Sequence, residues 1–105
     1  MPVVPIWTAM SVAVACAGDR HRGWHCEVRI DETSGGPSDH EVRVSPEELA
    51  RFDPSSRTPD RLVEASFAFL LDREPPSSIL RSFDLSTIER FFPDYPREII
   101  RRLEG

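Results

Sequence analysis

The sequence predicts an α+β fold: a three-stranded antiparallel β-meander over about residues 11–45, followed by four or five short helices packed on one of its faces. Three observations predict it. Trp24, Cys26, Val28 and Ile30 alternate with His25, Glu27, Arg29 and Asp31. That period of two, with one apolar and one charged face, belongs to a half-buried antiparallel strand. Beyond Val44 the apolar residues adopt helical spacing, interrupted at short intervals by Pro. Helix-start signals recur at Ser45, Thr58 and Ser86.

The first strand is placed at residues 11–17, with Val12, Val14 and Cys16 on one face and Ala13, Ala15 and Ala17 on the other. Residues 18–23, polar and bounded by Gly18 and Gly23, form the turn into the second strand, so the pair is a hairpin. Thr33, Ser34, Gly35, Gly36, Pro37 and Ser38 make a second turn dense in breakers. The third strand follows, with His40, Val42 and Val44 on one face against Glu41 and Arg43 on the other.

Ser45-Pro46-Glu47-Glu48 reads as a capping box with Pro in the first turn. Its helix ends near Phe52, because Asp53-Pro54 disfavours continuation. Thr58-Pro59-Asp60 repeats the start signal and opens the longest helix, over about residues 59–73. Leu62, Val63, Ser66, Phe67, Leu70 and Leu71 share its inward stripe and Phe69 widens it. Glu74-Pro75-Pro76 stops that helix. Residues 77–82 supply one or two turns carrying Ile79 and Leu80. Ser86-Thr87-Ile88-Glu89 reads as another capping box, with a stop at Phe92 before Pro93. Pro96 opens the last helix, with Ile99, Ile100 and Leu103 on one side. The expected core sets the Trp24, Cys26, Val28 and Ile30 face against Leu62, Val63, Phe67 and Leu70.

A chain of 105 residues supports one hydrophobic core. The expected organisation is an N-terminal extension at residues 1–9 and a single α+β domain at 10–105. The extension is expected to add little stability. No run approaches the roughly 20 apolar residues of a membrane span. The 13 basic residues are all Arg, and 18 acidic residues outnumber them, for a net charge of −5. This small acidic protein is therefore expected to bind no nucleic acid, whose affinity is built on phosphate contacts. The lack of Lys is read as the mark of a GC-rich bacterial genome.

Residues 2–18 carry no charge, and Ala13-Val14-Ala15-Cys16 has the form of a lipoprotein cleavage box. The basic region that opens a signal peptide is missing before Arg20. The expectation is a strand in a cytoplasmic protein. The alternative is an exported protein or lipoprotein, with residues 1–15 as its signal. Cys16 and Cys26 fall on neighbouring strands and are expected as reduced, buried thiols. A disulfide requires export and a favourable register.

His21, His25, His40 and Cys26 are the clustering of metal-type side chains, with His40 expected to approach His25 across the sheet. His25 and Cys26 point to opposite faces, which leaves two imidazoles where zinc takes three or four ligands. No phosphate loop, nucleophile elbow or paired-carboxylate motif is present in the sequence. Hence no catalytic residue, cofactor or metal is assigned. Arg97, Arg101 and Arg102 lie close together on the last helix, with Arg90 upstream.

The block that includes Leu62-Val63-Glu64-Ala65-Ser66-Phe67, Phe69-Leu70-Leu71, Arg73-Glu74-Pro75, Ser78-Ile79-Leu80, Phe83-Asp84-Leu85, Ile88 and Phe92-Pro93-Asp94-Tyr95 resembles one in a family of small uncharacterised bacterial proteins. In that family a short β-rich half precedes the helical block. The resemblance covers about a third of the chain firmly and implies no activity, cofactor or catalytic residue. Residues 1–8 have no counterpart in it, which points to an extension or an upstream start.

The expected function is a non-enzymatic binding or regulatory module acting through protein–protein contacts, with a protein partner or with itself. Its expected surface is Phe83, Phe91, Phe92, Tyr95, Arg97 and Arg101, because so many aromatic residues exceed what a small core buries. The alternative is a small-molecule or metal-dependent site around His21, His25, His40 and Cys26.

Overall fold

The structure, a computed structural model, describes residues 10–32 and 35–104. The chain runs β1 (Met10–Asp19), β2 (Gly23–Glu32), β3 (Gly36–Val44), α1 (Pro46–Phe52), α2 (Asp60–Leu71), β4 (Ser82–Asp84), α3 (Ser86–Phe91) and α4 (Tyr95–Glu104). A 3₁₀ turn at Pro76–Ser78 lies between α2 and β4. The fold is α+β. The strands form one sheet in the order β1-β2-β3-β4. The expected extension at 1–9 lies outside the described residues.

The alternating pattern of β2 becomes alternating burial. Trp24, Cys26, Val28 and Ile30 are buried, whereas His25, Glu27, Arg29 and Asp31 are exposed. β1 pairs antiparallel with β2, matching Val12 to Ile30, Val14 to Val28 and Cys16 to Cys26. The turn between them depends on Gly18 and Gly23, at φ +143° and +92°. A Cβ at Gly18 would stand 2.2 Å from the Gly23 carbonyl oxygen, a contact that only glycine avoids. The Asp19 carboxylate closes the turn by accepting the N–H groups of Arg22 and His21, both at 2.8 Å. Those two bonds hold the Asp19 carboxyl below its ordinary range.

Four findings correct the sequence expectations. First, the sheet has four strands and is mixed, with four α-helices among the described residues: β4 lies parallel to β3, pairing Val42 with Phe83. Parallel neighbours need a long crossover, and α1 and α2 supply it. Arg43 fastens the new edge by donating from Nε to Asp84 at 2.6 Å, and the Leu85 N–H bonds the Arg43 carbonyl. Second, Cys16 and Cys26 are joined in a disulfide, not reduced. They occupy directly opposed positions with Cα atoms 4.0 Å apart, so the register expected only as a condition is met. Third, two of the three caps fail. Ser45 forms its capping box with Glu48, but α2 starts from Pro59 and α3 from Leu85, both without a side-chain cap bond. Fourth, β3 begins at Gly36, inside the expected turn. Pro37 is accommodated because β4 pairs only with residues 41–43, leaving the start of β3 at the sheet margin.

The signal reading is affected by β1. Residues 10–15 are paired with β2, so cleavage before Cys16 would remove most of the strand. Among the described residues, no helix is long and apolar enough to cross a membrane.

The helices cover the apolar sheet face. Leu62, Val63, Phe67 and Leu70 of α2 join Trp24, Cys26, Val28, Ile30, Val42 and Val44 in one buried cluster. Phe69 turns instead toward α4, meeting the ring of Tyr95 edge-on at 5.3 Å. The buried Asp53 carboxylate, just past α1, receives two bonds from Arg61 and one from Ser56 Oγ. Arg61 also donates to the Leu103 carbonyl, so one guanidinium ties together α1, α2 and α4.

Candidate functional site

The segment from the end of α2 to the end of α3 has to turn repeatedly, because Pro75, Pro76 and Pro93 deny it a long helix. It folds into a short 3₁₀ turn, a three-residue strand and a six-residue helix. An apolar cleft of about 260 Å³ lies between these elements. Its walls include Ile79, Leu80, Phe83, Ile88, Phe91 and Phe92. Glu74, Ser78 and Thr87 provide polar groups at the same cleft.

The two sides of the cleft are held differently. Leu80 is positioned by the sheet. His40 on β3 is buried against Phe67, ring centroids 5.6 Å apart. Its Nδ1 donates to the Leu80 carbonyl at 2.8 Å, and a carbonyl only accepts, so the ring proton sits on Nδ1. Nε2 is then free to accept from Ser38 Oγ at 3.1 Å. The next residue is fixed as well, since the Arg81 carbonyl accepts the Glu41 N–H. With its backbone anchored at this point, the Leu80 side chain is 52% exposed.

The opposite side is α3 and the residue after it. Phe91 ends α3 and is 66% exposed. Phe92 is half-buried and meets Phe69 edge-on at 5.7 Å. Arg73 secures this corner. Its guanidinium lies 3.8 Å from the Phe69 ring centre and donates to Asp94 at 2.7 Å. Cation–π stacking and an ion pair together hold the loop after α3 against the end of α2.

The sequence-predicted surface therefore divides. Phe83, Phe91 and Phe92 line the cleft. Phe83 is buried and forms part of its base, so its ring is not offered to solvent. Tyr95 does not line it. This ring is buried against Phe52 and Phe69, and its hydroxyl bonds Ser66 Oγ at 2.7 Å. Arg97 and Arg101 are exposed on α4 and are not among the cleft's walls. In the nearby Arg cluster, Arg102 is paired with Asp72, and Arg101 lies near Glu98. Leu70, Ile79, Leu80 and Ile88 are cleft residues that sequence reasoning did not place there. The signal for Leu80 was a large apolar residue between a Pro-Pro turn and a strand, with no helical face to bury it.

The alternative cluster is not brought together. His25 lies on the open face of the sheet, 3.6 Å from Glu41, whereas His40 is inside the core on the opposite face. The expected approach of His40 to His25 therefore does not occur, because successive side chains of a strand alternate in direction. Cys26 is committed to the disulfide, and His21 sits in the first turn. Among the described residues no group of three or more His, Cys, Asp or Glu side chains is placed to hold a metal ion. Comparison with known protein families, curated proteins and solved structures finds no match for this chain.

Proposed function

We propose that this protein is a non-enzymatic binding module whose protein–protein contact is made at the cleft between Leu80 and Phe91. One observation carries the reading. Among the described residues three large hydrophobic side chains are exposed, Leu80, Phe91 and Ile100, and two of them border the same cleft. An apolar opening with anchored walls suits a bulky apolar side chain of a partner protein. Its volume is below the roughly 300–1,000 Å³ usual for small-molecule sites, which favours a protruding partner residue over a cofactor. Covering Leu80 and Phe91 contributes about 2–4 kcal/mol, the anchor of a contact in the weak, transient class. The whole lining falls within residues 62–95, the block on which the family resemblance rests, so that resemblance is part of the same proposal. The disulfide supports maturation in an oxidising compartment, in place of the cytoplasmic setting expected from sequence, because cytosolic thiol pools keep such pairs reduced.

The test compares rim and wall. Leu80→Ser and Phe91→Ser are expected to keep the fold, since both side chains are exposed, and to lose a partner retained by the wild-type chain from its native cells. Arg97→Ser is expected to retain it. Phe92→Ser is expected to cost about 2–4 kcal/mol of stability through its lost packing. Retention unaffected by both rim substitutions overturns the proposal. A stoichiometric metal in the purified protein would favour the small-molecule or metal alternative.

A further inference from the structure

The two edges of the sheet are finished differently. At one, β4 is three residues long and carries Asp84 bonded to Arg43, with Arg81 just before it. Short length and charge are the usual guards against edge pairing. At the other, β1 is ten residues long and has a strand neighbour on one side only among the described residues. It has no charge between Met10 and Gly18 and no Pro, and its register with β2 runs from Met10 to Asp19 without a bulge.

The register identifies which backbone groups are open. Opposed antiparallel residues alternate between pairs that exchange hydrogen bonds and closer pairs that do not. The 4.0 Å Cα separation of Cys16 and Cys26 marks the second kind. The same alternation puts Val12, Val14 and Gly18 in that class, so their N–H and C=O groups point away from β2. The side chains over this edge are unfinished as well. Val12, Val14 and Cys16 stay half-buried, whereas Ile30, Val28 and Cys26 opposite them are fully buried. On the other face Ser11, Ala13, Ala15 and Ala17 are exposed and small.

We propose that the occupant of this edge is a second copy of the chain, with β1 pairing antiparallel to its counterpart about a two-fold axis through Val14 to make one continuous eight-stranded sheet. The self-pairing is complementary in three respects. This register opposes residue 10 to 18, 12 to 16 and 13 to 15, so it takes up the uncharged part of β1 and sets no like charges together. The outward backbone groups of Val12, Val14 and Cys16 each meet the matching groups of the copy. The half-buried Val12, Val14 and Cys16 side chains extend one apolar layer across the axis. The contact is separate from the cleft proposed above, whose walls come from residues 70–92.

Sedimentation of the full chain across the micromolar range tests this, with circular dichroism as the check on folding. Wild type is expected to dimerise. Ala13→Lys with Ala15→Lys sets two Lys–Lys pairs across the axis and is expected to weaken the dimer by about tenfold or more. Ala13→Glu with Ala15→Lys opposes unlike charges in the same register and is expected to keep the dimer. Phe91→Ser is expected to leave it intact. A monomeric wild type, equal behaviour of the two β1 variants, or dissociation by Phe91→Ser alone each overturns the proposal.

Discussion

Tyr95 shows how much one polar atom can organise. Ser66 Oγ donates its hydrogen to the Leu62 carbonyl at 2.7 Å, so in the Ser66–Tyr95 bond the phenol is the donor. Helical spacing predicted Ser66 on the buried stripe of α2, but nothing local explains a hydroxyl there. Its reason is a residue on another helix. Burial pushes the Tyr95 phenol well above its usual value. The sign follows from linkage. The unfolded phenol ionises near pH 10 and the folded one at higher pH, so the folded state retains a proton that the unfolded state loses. Stability is thus intact below about pH 10 and falls above it by up to about 1.4 kcal/mol per pH unit. The chain has no Lys and no other Tyr, so this limb is unusually clean. Melting temperature measured from pH 8 to 11.5 is expected to decline above 10 in wild type and to decline less in Tyr95→Phe. Equal slopes would show that the phenol is not shielded.

At the scale of elements, the strands obey their local patterns better than the helices obey their caps. β2 lies between β1 and β3, so its inward face has partners on both sides. Trp24→Ala is expected to lower stability by about 3–5 kcal/mol, read by denaturant unfolding, because the indole is buried at the end of that face. A loss under 1 kcal/mol would mean that the indole is not part of the core. The helix starts are less local. A cap contributes roughly 1 kcal/mol, less than one buried aromatic ring, so packing can shift a start by a residue. That happened at Pro59 and Leu85, and Ser45 kept its role where the strand-to-helix turn allowed Glu48 to reach back.

The described residues form a sheet with one charged, exposed face and one face closed by helices. Links between distant parts of the chain include the disulfide between β1 and β2, Arg61 among the helices, and His40 between β3 and the cleft. The disulfide closes a short loop, with its cysteines ten residues apart. In the chain-entropy account a loop of that size is worth about 2–3 kcal/mol. Addition of a thiol reductant is expected to lower stability by that amount while leaving the far-ultraviolet spectrum largely unchanged, because the apolar face of β1 and its pairing with β2 remain. Loss of all β signal on reduction would show that the bond, not the packing, holds the hairpin.

The sequence by itself determined the α+β class, the hairpin, the inward face of each long strand and the stripe of α2. Each is a periodic pattern repeated over enough residues to stand out. It also located the region of the cleft, through an excess of aromatic residues between prolines. Only tertiary structure decided which of those rings are exposed. Phe83 and Tyr95 are covered by elements far away in the chain, and the exposed Leu80 has its backbone anchored by a histidine forty residues earlier. β4 was equally illegible: three residues are too few to show a period, and its parallel partner lies beyond a two-helix crossover. The disulfide required the register of β1 on β2, which places Cys16 opposite Cys26 and is a property of the pair of strands, not of either alone.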